Sequence, residues 1–494
     1  MKSSVRNWVR HGFYLDSVAL MRLSREIAAM PDVSEAALMM ATPANTAILA
    51  AAELLAAEAD GAGGNDLILA VRAATAAAAE SALAAAVAAL DRQKNAARAA
   101  GSGQPKSLRA ALRTQPTANL ALISVPGDYA AAEARKALSS GLDVMIFSDN
   151  VPLAAEVALK RQARALGRLI MGPDCGTAII AGVPLAFANR VPLGGIGVIG
   201  ASGTGMQEVA CLLAQAGCGI SQAIGVGSRD LSQEVGGLST LTAIDLLDAD
   251  AATQRIVLIS KPPHPEVAQR VLERIGLSRK RFTICFLGAA AIDVPRNASA
   301  VPTLSAAAEE VSSLPLAPFA RPTPLPPQRA GSILGLYAGG SLAAEAQLVL
   351  LAHGRSVASN APVPAAGLLS EASAGVDRII DLGADEFTRG RPHPMIEPGV
   401  RTGELVRALA DPALAAILLD LVIGFGAHAD PAAEVAAALR GAAGERPYVI
   451  ASVTGTEADP QGRSRQIATL VAAGVLVAGA NAGAAELALA LTKS

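Results

Sequence analysis

The chain has 494 residues, with 41 Lys+Arg against 43 Asp+Glu and a formal charge of −2. That length suits roughly three domains of about 150 residues each. Neutral balance and an aromatic content of 3% exclude both a basic nucleic-acid surface and the stacking platforms of single-strand binders, while 52% hydrophobic and 17% charged residues exclude a disordered chain.

From the amino terminus, Met1–His11 carries charges where a secretory signal needs an apolar core. Thr75–Leu90 contains Glu80, and Ile467–Leu491 is broken by Gly474, Gly479, Asn481 and Glu486. Neither supplies the ~20 continuous apolar residues of a membrane span. Cys175, Cys211, Cys218 and Cys285 form no disulfide framework, and the Cys211/Cys218 spacing is not that of a metal site. We expect a cytoplasmic protein with no membrane partner, no nucleic-acid partner and no metal.

Residues 1–110 alternate strands (Val33–Met40, Asp66–Val71) with helices (Ser17–Ala29, Ala74–Ala97), and Ala100–Lys106 is flexible punctuation. Next come strand Leu120–Val125, helix Tyr129–Ser140, strand Val144–Ser148, helix Leu153–Leu166 and strand Arg168–Met171. Apolar strands separated by amphipathic helices predict an α/β fold of doubly wound parallel sheets.

An internal repeat follows. Ile196-Gly-Val-Ile-Gly-Ala-Ser-Gly-Thr-Gly205 and Leu334-Gly-Leu-Tyr-Ala-Gly-Gly-Ser-Leu342 each run a strand through a glycine turn into a helix. Each is followed by a strand ending in glycine (Ala223–Gly227, Arg378–Gly383), a buried strand (Arg255–Ser260, Ala415–Ile423) and a closing strand (Phe282–Gly288, Tyr448–Gly455). One order of elements repeated at about 191–300 and 331–492 predicts duplication. Ser313–Ala330, with six prolines between the copies, favours polyproline II and reaches about 50 Å, enough for the copies to pack face to face. An inert spacer would have the same composition. The expected domains are 1–110, 111–190, 191–312, a linker at 313–330, and 331–494.

The glycine turns bring backbone N–H groups and the positive end of a helix to one point, which suits phosphate or carboxylate. Ser202, Gly203, Thr204 and Gly205 form one such turn and Gly339, Gly340 and Ser341 the other. If the copies face each other, two helix N-termini meet one anion without a lysine in either loop. A tight strand–helix turn with an ordinary N-cap would carry the same residues. Neither loop has the spacing of a Walker motif or of a dinucleotide fingerprint.

Met171-Gly-Pro-Asp-Cys-Gly-Thr177 lies at the carboxyl end of an expected parallel strand, where ligands of open α/β sheets collect. Asp174 is a candidate acid/base or substrate-orienting group; Cys175 lacks a histidine nearby to activate it. Ser148 and Asn150, in Phe147-Ser-Asp-Asn-Val-Pro152, end the preceding strand in the same way. Of five histidines, His393 stands out in Arg389-Gly-Arg-Pro-His-Pro-Met-Ile396, where Arg391 can hold an anion bidentately. His264 and His428 hold matching places in the two copies, and His353 reads as a helix cap. Arg229, in Ser228–Gly237, follows the second strand of the first copy.

Together these residues resemble the NDP-forming acyl-CoA synthetases. Ala118–Gly288 is similar to the α subunit of succinyl-CoA synthetase through Gly172-Pro-Asp-Cys-Gly176 and Ile196–Gly205, and Leu334–Leu491 to the CoA-ligase domain of the β subunit. More narrowly, almost the whole chain looks like the FdrA family. Ser148-Asp-Asn-Val, Met171–Thr177, Ile196–Gly205, Arg229-Asp-Leu-Ser, Gly390–Ile396 and Val453-Thr-Gly-Thr-Glu carry that likeness. The resemblance implies a phosphate clasped by two helix N-termini, with partner subunits or a homodimer completing the enzyme. The superfamily's phosphohistidine loop has no counterpart, because Phe286-Leu-Gly-Ala-Ala-Ala-Ile292 lacks histidine, and no ATP-grasp domain fits the layout. The FdrA likeness implies a carbamoyltransferase subunit acting on oxamate or oxalurate with carbamoyl phosphate in allantoin catabolism. Arg391 or Arg229 would hold the substrate carboxylate, and His393 or Asp174 would move a proton. The alternatives are an acid–CoA ligase whose ATP site comes from a partner, with coenzyme A at Ser148–Pro152 and Gly172–Gly176 including Cys175, and a non-catalytic anion-binding scaffold.

Overall fold

The computed structural model describes residues 3–15, 17–99, 105, 107–313, 324–370, 375–388, 392–441 and 446–493. Most of the Ala100–Lys106 punctuation and residues 314–323 of the proline-rich linker lie outside them. The chain divides into two compact units. One comprises Met1–Val144, Ser148–Pro152 and Thr388–Pro392, and the other comprises Met145–Phe147, Leu153–Phe387 and His393–Ser494.

The first unit begins β1 (Ser4–Arg10), α1 (Ser17–Ala28), β2 (Val33–Met40), α2 (Pro43–Ala51), β3 (Leu67–Ala73) and α3 (Ala76–Ala99). β3 lies between β1 and β2, antiparallel to both, with Leu69 opposite Trp8 and Leu38. Its continuous apolar run follows from that central place. Leu67, Leu69 and Val71 pack with α1 and α3, while Ile68 and Ala70 pack with Leu49 and Leu54 on the other face. The sequence reading contains no counterpart of β1, whose Arg6, Asn7 and Arg10 break an apolar pattern. α4 (Leu108–Thr114), β4 (Leu120–Ile123), α5 (Gly127–Ser139) and β5 (Asp143–Ile146) follow.

The second unit opens with α6 (Leu153–Ala165), β6 (Ile170–Met171) and the hairpin β7 (Thr177–Ile180)–β8 (Val183–Ala186). The first copy is β9 (Leu193–Gly200), α7 (Gly203–Gln215), β10 (Ile220–Gly225), α8 (Leu238–Ala249), β11 (Arg255–Ser260), α9 (Pro265–Gly276), β12 (Arg281–Phe286), β13 (Ala298–Ala300) and α10 (Leu304–Ser312). After β14 (Arg329–Ala330), which pairs at the far end of the chain, the second copy runs β15 (Ser332–Tyr337), α11 (Gly340–Ala352), β16 (Val357–Ser359), β17 (Gly367–Leu368), β18 (Asp377–Asp381), α12 (Asp385–Thr388), α13 (Gly399–Leu409), β19 (Leu414–Val422), α14 (Pro431–Arg440), β20 (Tyr448–Thr454), α15 (Arg463–Ala472), β21 (Leu476–Ala478), α16 (Asn481–Leu491) and β22 (Thr492–Lys493).

The sheets run β13-β12-β11-β9-β10-β7-β8 and β21-β20-β19-β15-β18-β16-β17. Five strands therefore recur in one order, parallel throughout. They differ beyond the fifth. The β7–β8 hairpin, which precedes the first copy, fills the outer place there, whereas in the second copy the chain leaves α11 for β16 and β17 before returning to β18. β19 is buried along all nine residues because layers cover both of its faces.

The copies share one core, in which Val209 and Leu213 of α7 belong with Leu342 of α11 and Leu487 of α16. Two glutamates at matching repeat positions cross between them. Glu208 on α7 accepts the Asn481 N–H at the start of α16 (3.1 Å), and Glu345 on α11 accepts the Leu304 N–H at the start of α10 (2.7 Å). Each copy thus satisfies a helix N-terminus of the other. Asn189 adds a second latch, giving Nδ2–H bonds to Ile423 O (2.7 Å) and Asp459 Oδ2 (2.8 Å).

Candidate functional site

The two glycine turns meet. β9 ends at Gly200, where a Cβ would overlap the Met206 side chain, and the Ala201 N–H bonds back to Ile259 O on β11 at 3.0 Å. Extended Ser202 then caps α7, its hydroxyl accepting the Gly205 N–H at 3.1 Å. In the second copy Gly339 replaces the capping serine, so the cap comes from elsewhere. The Asp420 carboxylate on β19 accepts the N–H groups of Ala338 (2.8 Å) and Gly339 (2.7 Å). Across the copies the Ser202 and Ser341 hydroxyls hydrogen-bond to each other. A Cβ at Gly339 would lie 3.0 Å from Thr204 Cβ, so glycine there lets the second turn approach the first. In the first turns, the N–H groups of Gly203, Thr204, Gly340 and Ser341 have no intrahelical acceptor.

Charges gather at the carboxyl edges beside these turns. Asp420 is fully buried; burial pushes its carboxyl up, against the pull of Arg401, whose Nη1 is 3.3 Å away. Asp381 ends β18 and accepts the Gly383 N–H at 2.9 Å through Oδ1. Burial pushes it up to about 6, with Lys261 pulling the other way. His393 accepts the Met395 N–H on Nδ1 (3.2 Å), which leaves the proton of the neutral ring on Nε2. Burial, and then the Arg401 charge, pushes its pKa down to about 4. A Cβ at Gly383 would lie 2.7 Å from His393 Nε2 and 3.2 Å from Asp381 Oδ1, so ring and carboxyl border the same glycine.

The remaining residues singled out in the sequence are placed as follows. Arg391 lies outside the described residues. Arg229 pairs with Glu156 on α6 (2.8 Å), and its neighbour Asp230 is buried against Lys160 (2.8 Å) and the N–H groups of Ser239 and Thr240. Asp174 adopts a left-handed φ of 57° and accepts the Ser228 hydroxyl at 2.9 Å. Cys175 corrects the expectation of a ligand contact. Its thiol is buried against Gly225 O (3.3 Å), and burial pushes it up to about 12. In the other unit, Ser148 donates to Val125 O, and exposed Asn150 holds a φ of 53° where its carbonyl closes on Gly127. His353 is the C-cap residue of α11, as expected. Lys261, Asp381, Arg401 and Asp420 had not been singled out. A lone aspartate inside the apolar strand Leu414–Val422 is the one signal that pointed to any of them.

Comparison with known proteins fits this architecture. A CoA-ligase family model matches residues 336–491, and a CoA-binding domain model matches 193–286, the segment expected to be the first ligase-like copy. A model described as the AllF heavy metal-associated domain matches residues 1–107. Those residues contain no cysteine and one histidine, His11, whose Nδ1 lies 3.1 Å from Asp66. With no thiolate and a single imidazole they do not fit a heavy-metal site. No group of three or more metal-ligating side chains occurs among the described residues.

Fold, facing turns and matched domains define an α/β protein of the CoA-binding and CoA-ligase class. The chain belongs to the family of the uncharacterized protein YahF of Escherichia coli (strain K12), with 37% identity over 510 aligned residues covering 98% of both chains. It is also 25% identical to the α 1 subunit of an ADP-forming succinate–CoA ligase of Archaeoglobus fulgidus, over 30% of this chain and 50% of that subunit. The sulfoacetate-CoA ligase subunit SauD of Bilophila wadsworthia is 25% identical over 37% of this chain and 63% of its own. The chain thus spans about half to two thirds of those subunits. Among solved structures, a dinucleotide forming acetyl-coenzyme A synthetase of Ca. Korarchaeum cryptofilum aligns over 76% of this chain and 82% of its own, with 15% identity and a TM-score of 0.29. Among the described residues no helix is long and apolar enough to cross a membrane.

Proposed function

We propose that the chain is a group-transfer subunit of the NDP-forming acid–CoA ligase type, which holds a phosphate or phosphorylated substrate between the N-termini of α7 and α11. One observation carries this reading: Ser202 and Ser341, from the two copies, touch across the facing turns. N–H groups of Gly203, Thr204, Gly340 and Ser341 would line the anion, each fixed in place before it arrives. His393 would add a neutral Nε2–H donor. Gly205 and Gly339 serve indirectly, the first by donating its N–H to the Ser202 cap and the second by allowing close approach. Arg391 or Arg229 would steady a substrate carboxylate, and Asp174 would assist proton transfer. The related ligases are named as subunits of ADP-forming enzymes, and here ATP would come from a partner subunit. Inorganic phosphate titrated into the full chain tests the clasp. Gly203→Asp puts a carboxylate on the same N–H groups, and phosphate affinity should fall at least tenfold, about 1.4 kcal/mol; unchanged affinity excludes the clasp. Coenzyme A thiol consumption with ATP-binding partner subunits tests the ligase chemistry.

The absence of histidine from Phe286–Ile292 favours a second reading, transfer without a phosphoenzyme. Carbamoyl transfer from carbamoyl phosphate to oxamate or oxalurate is such a reaction. Carbamoyl phosphate consumption without coenzyme A, followed by phosphorus NMR, would support it; consumption only with ATP and coenzyme A would return the chain to the ligase reading.

A further inference from the structure

The turns are alike, but the sheet edges around them carry different charge. At the first copy's edge, β11 runs parallel to β9 with Ile259 opposite Gly200, so Lys261 follows the strand end beside Ala201 and Ser202. At the second copy's edge, β18 runs parallel to β15 with Asp381 opposite Tyr337, beside Ala338–Gly340. Lys261 faces Asp381 closely enough for their charges to interact. Asp381 is only 7% exposed. Its Oδ1 is engaged by Gly383, but Oδ2 has no donor among the described residues and is aimed at the start of α11, where a Cβ on Gly340 would lie 2.7 Å away. A carboxyl oxygen with no donor among the described residues, on a residue more than nine-tenths buried and turned toward helix N–H groups that lack an intrahelical acceptor, can share one ligand with them.

We propose, resting on the clasp reading above, that Asp381 and Lys261 are anion-binding residues of this site. Lys261, from the first copy, neutralises a bound phosphoryl or carboxylate group, and Asp381, from the second, keeps its proton and donates it as a hydrogen bond to the same group. An ionised Asp381 would repel the anion, so the site selects for the protonated carboxyl and binding couples to pH. The charged groups around Asp381 are Lys261 after β11, Glu386 on α12, Asp420 on β19 with its partner Arg401 on α13, and the neutral ring of His393. Asp420 and Glu386 oppose ionisation of Asp381 and Lys261 favours it.

Inorganic phosphate titrated into the full-length protein by calorimetry at pH 5 and pH 8 tests this. Asp381→Asn keeps an acceptor for Gly383 and supplies a permanent N–H donor. It should bind phosphate as wild type does at pH 5 and about tenfold more tightly than wild type at pH 8. Lys261→Met changes an exposed side chain and should weaken binding about tenfold at both pH values. If wild type binds and both variants match it at both pH values, the proposal is overturned while the clasp stands. If wild type binds no phosphate, both fall. Weaker binding by Asp381→Asn at pH 8 would also overturn the proton-donor role, since it would mean that the ionised carboxylate assists.

Discussion

Cys175 shows how far a side chain's chemistry depends on which way it faces. In the sequence it stands in a turn at a strand's carboxyl end, a natural place for a ligand contact. In the fold its thiol points inward, to the carbonyls of Gly225 and Thr177, and desolvation raises its pKa. Thiolate is the reactive form, so Cys175 should be inert in the native protein. Cys211 and Cys285 are buried as well, and Cys218 is half-buried. Titration with an aromatic disulfide should find one reactive thiol in the folded protein and four after denaturation, and Cys218→Ser should remove the fast one. A fast thiol lost in Cys175→Ser instead would reinstate Cys175 as a ligand-facing residue. His393 went the other way: its rigid loop was visible in the sequence, but its neutral state arises from burial and from Arg401 on the following helix, neither of which the local pattern reveals.

At the scale of elements, strands and helices were legible wherever their periodicity was strong. Arg255–Ser260 is observed with the expected bounds, and β2 likewise. Legibility failed where tertiary packing overrides pattern, as in β1, whose Arg6, Asn7 and Arg10 interrupt the apolar residues at a sheet edge, and in the short β7–β8 hairpin. The motif Arg229-Asp-Leu-Ser was legible as special but its purpose was not. Asp230 caps the start of α8 and pairs with Lys160 on α6, which also pairs with Glu156 at 2.9 Å. All three of these side chains are essentially without solvent contact. Removing Lys160 leaves buried Asp230 without its cation, while Glu156 keeps only Arg229, so Lys160→Met should destabilise the protein by about 3 kcal/mol in urea unfolding. A loss below about 1 kcal/mol, the level of exposed pairs, would show that the network is not needed to hold α6 against this loop.

For the second unit taken whole, duplication explains why two similar sheets share one core, and the reciprocal glutamates show how the halves are joined. The repeated order of strands could be read from the sequence. The joining could not, because Glu208 and Glu345 look like ordinary helix residues until α16 and α10 arrive above them. Placing two carboxyls in one dry interface has a consequence for stability. Desolvation raises Glu345 from 4.5 to about 7, with Glu208 adding repulsion, and burial raises Glu208 as well. The protons belong to the pair rather than to either residue. Between about pH 4.5 and 7 the folded pair binds more protons than the unfolded chain, so stability falls as pH rises through that window and levels off above it. For Glu345 the loss is on the order of 3 kcal/mol. Glu345→Gln keeps an acceptor for the Leu304 N–H but cannot ionise. Its urea midpoint should decline less across the window than that of wild type, since Glu208 and Asp381 still titrate there, and should exceed that of wild type at pH 8. Parallel declines in the two proteins would mean that Glu345 is not the source of the pH dependence, and would overturn this reading of the interface.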